Sequence, residues 1–271
     1  MREFLFFSII NKNNNYIKRE VEDVQEIILG IIQGLTEFLP VSSSGHLALF
    51  SKLINFNPDV SFFAFLHLMT FFAVLLFVYK EVWFILKGMF TMDKSAWNLA
   101  LKIIVSSVPA AIIGILFEDQ ISEAFSSLRL VGLFFLFTSV AMILSDRFDG
   151  KKELMDISYI DAIIIGLFQA AAIFPGISRS GFTLFGALLL NTKKEAALKY
   201  SFLMSLPVTF GAGLLEINDV TFTAPVIYSG IFTFIFGVIG LFILKKTVIN
   251  GKLKYFGYYT ALAAIVSFIV G

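Results

Sequence analysis

The sequence predicts an all-α integral membrane protein with about six transmembrane helices and two broken, re-entrant helix hairpins, its halves related as inverted-topology repeats. Three observations predict it. Of 271 residues, 58% are hydrophobic, only 15% are charged and 33 are Phe, and the mean hydropathy is +0.85; a soluble domain of this size cannot bury so much apolar surface. Apolar stretches of bilayer-spanning length recur along the chain. Two segments about half the chain apart also carry the same polar residues in the same register.

The charge balance, Lys+Arg 21 against Asp+Glu 20, excludes a charge-driven role such as binding nucleic acid. With no Cys and two His, the chain has no disulfide framework, thiolate nucleophile, Cys-ligated metal or His-rich cage. Its chemistry must use oxygen, guanidinium and imidazole groups.

Taken in order, residues 4–10 form a short apolar run behind Arg2, followed by Asn11 and Lys12 rather than a small-residue cleavage site. The run is not read as a signal peptide. Residues 1–23 are read as a polar N-terminal lead-in and 24–271 as one polytopic membrane domain. Glu20, Glu22, Asp23 and Glu26 precede the first long apolar segment, which places a helix start near Val24. Stretches at 60–79, 99–117, 130–145, 200–217, 224–244 and 255–270 supply the six crossings. The segments 27–57 and 160–190 are interrupted by Pro, Ser and Gly and carry ionisable or amide groups. Each is expected to form a helix, a break and a second helix that returns to the same face.

Sliding the chain by 136 residues superposes these two segments without a gap: Gly30, Gln33, Phe38, Ser42, Ser44 and Gly45 fall on Gly166, Gln169, Phe174, Ser178, Ser180 and Gly181. Repeat one then covers 27–145 and repeat two 160–270. Three crossings follow each broken segment, so the copies enter the membrane from opposite faces. The loops near 80–98, 146–160, 191–199 and 245–254 hold thirteen Lys and Arg, whereas those near 118–129 and 218–223 hold only Arg129. The Lys-rich face is expected to be cytoplasmic, placing the mouth of the first broken segment outside the plasma membrane. Lys12, Lys18 and Arg19 of the lead-in lie against that orientation.

Glu37 lies in an apolar segment, where an ionised carboxylate costs about 2.5–3.5 kcal/mol unless paired or hydrated. Gln33 stands one helical turn before it, on the same face, and Gly30 and Gly34 thin the helix for close approach. For Gln33, gluing two broken helices together explains the amide as well as a catalytic role does. After Pro40, Ser42, Ser43, Ser44 and His46 crowd hydroxyls, backbone amides and an imidazole at a helix start that can hold an anion. Serines in such turns also serve as caps. His67 reads as a buried helix residue that could instead line the cavity. In the second copy, Gly176, Ser178, Ser180 and Thr183 surround the mid-membrane guanidinium of Arg179, which needs an anion. That anion is a phosphate, or Glu37 itself as an internal ion pair. Together the groups suggest hydrolysis of a phosphate ester or anhydride.

The stretches from Gln33 to His46 and from Pro175 to Thr183 resemble the undecaprenyl-diphosphate phosphatase, or bacitracin-resistance, family. The resemblance extends through Ser107-Val-Pro-Ala-Ala111 and Ser201-Phe-Leu-Met-Ser-Leu-Pro207. It implies an integral membrane enzyme that converts a polyprenyl diphosphate lipid to the monophosphate carrier used in cell-envelope glycan synthesis. The family's paired acid motif falls on Gln33 and Glu37, its histidine on His46, its first-loop serine on Ser43 and its arginine motif on 175–183. The first motif position is Gln here where many members have Glu, and Met69 stands where many have Gly.

Under that resemblance, Arg179 with Gly176, Ser178, Ser180 and Thr183 would hold the diphosphate, aided by Gln33, Ser42 and Ser44. Ser43 would attack phosphorus, activated by Glu37 or His46; attack by His46 or by water held by Glu37 remains open. No resident metal is expected; Mg²⁺ or Ca²⁺ could arrive with the substrate. A transporter or flippase of a lipid-linked anion is the competing reading. A purely structural subunit is a third reading, and a homodimer is left open.

Overall fold

The computed structural model describes residues 2–54, 56 and 59–271. The first helix, α1 (Arg2–Phe38), starts much earlier than the expected Val24. The reason is local: polarity does not stop a helix, and neither Gly nor Pro occurs before Gly30. Pro40 ends it, because the residue before a proline is disfavoured in helical geometry.

The remaining helices are α2 (Ser43–Leu53), α3 (Val60–Phe77), α4 (Tyr79–Phe90), α5 (Lys94–Leu116), α6 (Glu118–Ser126), α7 (Leu128–Ser145), α8 (Tyr159–Ala171), α9 (Arg179–Leu189), α10 (Lys194–Glu216), α11 (Ala224–Ile249) and α12 (Lys254–Val270). No strand forms among the described residues beyond one isolated bridge between Lys152 and Thr192. All six expected apolar stretches are helical. Four helices, α3, α5, α7 and α11, are long and apolar enough to cross a membrane, and α12 is a shorter apolar helix. Both interrupted segments show the helix, break and helix expected of them, α1–α2 around 39–42 and α8–α9 around 172–178.

Small residues let the helices that carry the breaks approach their neighbours closely. On α1, Gly30 and Gly34 lie against Ser229, Thr233 and Gly237 of α11; a Cβ on Gly30 would stand 2.5 Å from the Ser229 carbonyl oxygen. Thr233 Oγ1 donates to the Gly30 carbonyl across the same seam at 2.8 Å. On α8, Gly166 meets α5 in the same way, its added Cβ 2.5 Å from the Ser106 carbonyl oxygen. A core of Phe38, Val74, Leu99, Leu184, Phe202, Leu203 and Leu241 draws α1, α3, α5, α9, α10 and α11 together. The ends of α1 and α8 and the starts of α2 and α9 are thereby held at one place.

Candidate functional site

Each broken segment restarts its helix on a serine. Ser42 Oγ accepts the Gly45 N–H at 3.3 Å, and Ser178 Oγ accepts the Gly181 N–H at 3.2 Å. Both are N-caps that satisfy an otherwise orphaned amide. Their neighbours match as well, with Ser42 and Ser44 hydroxyls 3.3 Å apart and Ser178 and Ser180 hydroxyls 3.2 Å apart. Ser42 adopts φ 68°, a region costly for a residue with a side chain. Gly176 occupies φ 105° in the second turn.

The two turns are tied to each other. Gly176 N–H donates to Ser42 Oγ at 3.0 Å, and Ser180 Oγ donates to the Leu39 carbonyl at 3.3 Å. Thr138 of α7 pins the second turn from outside: its hydroxyl donates to the Gly176 carbonyl at 2.8 Å and accepts the Ser178 N–H at 2.9 Å. Thr183 is buried behind the turn, its hydroxyl 2.6 Å from that of Ser201 on α10.

Glu37, at the end of α1, is the hub. Its Oε2 accepts the Ser43 hydroxyl at 2.6 Å and the Gln33 amide at 3.0 Å. Its Oε1 pairs with Arg179 Nη2 from the first turn of α9. The ion pair weighed against a phosphate-holding role is therefore present, and it joins the two halves. Arg179 is only partly used by it, since its Nη1 is buried without a hydrogen-bond partner, as is Gln33 Oε1. Such groups cost about 1–3 kcal/mol each when left unmet, and an anion's oxygen is a suitable acceptor for the first.

His67 of α3 completes the cluster. Its Nδ1 lies 3.0 Å from Gln33 Nε2 and 3.5 Å from Glu37 Oε2. The Gln33 side-chain nitrogen can only donate, so in this contact Nδ1 is the acceptor. The His67 side chain is 29% exposed, so it lines the cluster rather than vanishing into a helix contact.

His46 is placed differently. Its Nδ1–H donates to the Ser42 carbonyl at 2.8 Å, which leaves Nε2 to accept the Tyr259 hydroxyl of α12 at 2.7 Å. The Tyr259 ring stacks on the imidazole with an interplanar angle of 6°. Both nitrogens are engaged, and the ring holds the strained Ser42 backbone from behind. Tyr259→Phe would leave Nε2 without its donor and is expected to lower stability by about 1–3 kcal/mol, read as an earlier thermal unfolding in detergent; an unchanged transition would show that water replaces the phenol.

Of the residues singled out from sequence, Gln33, Glu37, Ser43 and Arg179 gather in one cluster, with Ser42, Ser44, Gly176, Ser178 and Ser180 forming the two turns that frame it. Thr183 and His46 sit behind those turns. Sequence reasoning favoured a buried helix position for His67, which instead lines the cluster, and did not single out Thr138, Ser201 or Tyr259 as site residues. Thr138 and Tyr259 lie on apolar helices far from either motif, where a single sequence gives no signal. Among the described residues, no group of three or more His, Asp or Glu gathers to hold a metal ion.

The family described as "Bacitracin resistance protein BacA" matches residues 26–266. A protein of Thermosipho africanus (strain TCF52B) named undecaprenyl-diphosphatase is 55% identical over 248 residues, 92% of this chain and 100% of its own length. Undecaprenyl-diphosphatase of Methanococcus vannielii is 56% identical over 243 residues, 89% of this chain and 98% of that protein. That of Thermotoga petrophila is 43% identical over 250 residues, 91% and 100% respectively.

Proposed function

The chain belongs to the bacitracin resistance protein BacA family, and on that footing we propose that it hydrolyses a polyprenyl diphosphate of the undecaprenyl type. The products are the monophosphate and inorganic phosphate, so the reaction recycles a lipid carrier for cell-envelope glycan synthesis. The observation that carries the mechanism is the Ser43 hydroxyl donating to Glu37, which is itself paired with Arg179.

Ser43 Oγ attacks the terminal phosphorus while Glu37 Oε2 takes its proton, and the phosphoanhydride bond breaks toward the polyprenyl monophosphate. Arg179 Nη1 receives a non-bridging oxygen and stabilises the charge that builds up there. Glu37 hands the serine proton to the bridging oxygen of the departing monophosphate; it then takes a proton from the water molecule that attacks phosphorus and returns it to Ser43 Oγ as inorganic phosphate leaves. We assign His46 to shaping the turn that presents Ser43, because both its nitrogens are occupied. Glu37 is the single carboxylate of the cluster, so a Mg²⁺ or Ca²⁺ ion would come in bound to the diphosphate.

The layout proposed with this function has α3, α5, α7, α10, α11 and α12 crossing the bilayer and the α1–α2 and α8–α9 pairs dipping into it as inverted repeats. The matching serine caps, the matching Gly30 and Gly166 contacts and the equal 11-residue lengths of α2 and α9 support it. The Lys-rich loops favour a site open to the outer face of the plasma membrane.

The test is phosphate release from a long-chain polyprenyl diphosphate by the detergent-purified protein. Ser43→Ala is expected to cut turnover by at least about 10²-fold at unchanged folded yield. Near-normal turnover would remove the serine nucleophile and leave water on Glu37 as the attacking group.

A further inference from the structure

About 15 Å along α3 from His67, counted at 1.5 Å per residue, the helix ends at a crevice of about 440 Å³. Its walls are apolar, among them Phe77 of α3, Leu198 of α10 and Leu241 and Phe242 of α11. Its rim is charged: Lys80, Lys199 and Lys245 stand against Glu81 and Glu195. Lys199 is neutralised, 3.0 Å from Glu81 and 3.7 Å from Glu195. Among the described residues, Lys80 and Lys245 meet no carboxylate; they lie over the rings of Tyr79 and Phe77 at 5.9 and 5.8 Å.

The adjoining helix gives this crevice a depth. On α4, Tyr79, Trp83, Leu86 and Phe90 are exposed, Phe90 at 89%, and their spacing puts them on one stripe. Lys80 and Lys87 lie along one side of that stripe. Trp and Tyr beside Lys on an exposed apolar face mark a helix lying along a membrane surface. The crevice therefore opens at the level of lipid headgroups, and Phe242, itself exposed, continues its apolar wall toward the acyl chains.

We propose that this crevice is a binding site for an anionic phospholipid, its phosphodiester between Lys80 and Lys245 and an acyl chain along Phe77 and Phe242. Three ammonium groups against two carboxylates leave one positive charge, which matches the single negative charge of a phosphodiester and is one short for the dianion of a phosphate monoester. The site is separate from the Glu37 cluster and shares no residue with it.

The test uses the full-length protein, delipidated and mixed with equal amounts of phosphatidylglycerol and phosphatidylcholine in micelles, with retained lipid read by native mass spectrometry. One phosphatidylglycerol per chain is expected, in clear preference to phosphatidylcholine and falling with added salt. The Lys80→Gln/Lys245→Gln variant is expected to lose the preference by about fivefold for each lysine removed, whereas Lys80→Arg/Lys245→Arg keeps it. Phosphate release by the arginine variant establishes that the protein is intact. Equal uptake of the two lipids by the wild type, salt-independent uptake, or an undiminished preference in the glutamine variant would overturn the assignment. Displacement of phosphatidylglycerol by an equal amount of polyprenyl monophosphate would overturn it too, giving the crevice to the reaction's product.

Discussion

Glu37→Gln lowers phosphate release by an expected 10²–10⁴-fold, roughly the contribution of a well-placed general base. The amide still fills the space between Gln33, Ser43 and Arg179, but it cannot take the serine proton. It also leaves a buried guanidinium without its counter-charge, which costs about 3–5 kcal/mol where the pair is well desolvated. Loss of turnover alone would therefore mix chemistry with folding. The charge-swapped Glu37→Arg/Arg179→Glu protein separates them, because it restores opposite charges across the two halves while facing Ser43 with a guanidinium. Thermal unfolding close to wild type with no phosphate release is the expected result. Recovery of turnover in the swapped protein would reduce the pair to a structural tie and sink the proposed role of Glu37.

The second large effect falls on Gly176. Its φ of 105° lies where L side chains rarely go, and an added Cβ would stand 2.4 Å from the Val131 carbonyl oxygen and 2.8 Å from Phe134 Cβ. The backbone term is about 1–3 kcal/mol, and overpacking adds about 1–3 kcal/mol. Relief requires the turn to move, yet its N–H and carbonyl are held by Ser42 and Thr138. Gly176→Ala is therefore expected to lose most of its folded yield, and any folded fraction should have weak activity because Ser42 precedes the nucleophile. Gly211→Ala is the control, since nothing lies within 4 Å of the added Cβ and the change sits within α10. Equal unfolding temperatures for the two variants would show that the second turn is free to shift.

Much of this arrangement is legible in the chain. The apolar stretches predict helices because length and composition decide that question in a bilayer. Glu37 and Arg179 stand out because an ionisable group among apolar neighbours demands an explanation. The repeat register anticipates the serine caps, since equal sequences in equal surroundings fold alike. What the chain does not reveal is pairing across distance. Nothing in the residues around His46 says that it turns toward Tyr259, 213 positions away, rather than toward Ser43. The long α1 is missed for a different reason: charge and Asn content suggest solvated coil, but neither breaks a helix as Pro does, and no Gly or Pro occurs before Gly30. His67 is ambiguous in sequence because its immediate neighbours are all apolar, and its polar partners come from α1.

The separation of 142 residues between Glu37 and Arg179 also bears on how the protein is made. At about 5–20 residues per second, the ribosome delivers the arginine roughly 7–30 s after the glutamate. During that interval the nascent first half has a carboxylate at its break without the guanidinium it pairs with in the folded protein. Until translation reaches α9, Glu37 has only Gln33, Ser43 and His67 to meet it, and a carboxylate without a full counter-charge favours hydration at the membrane surface or a bound proton. Final seating of the first broken segment is thus a late event in biogenesis, timed by the synthesis of the second.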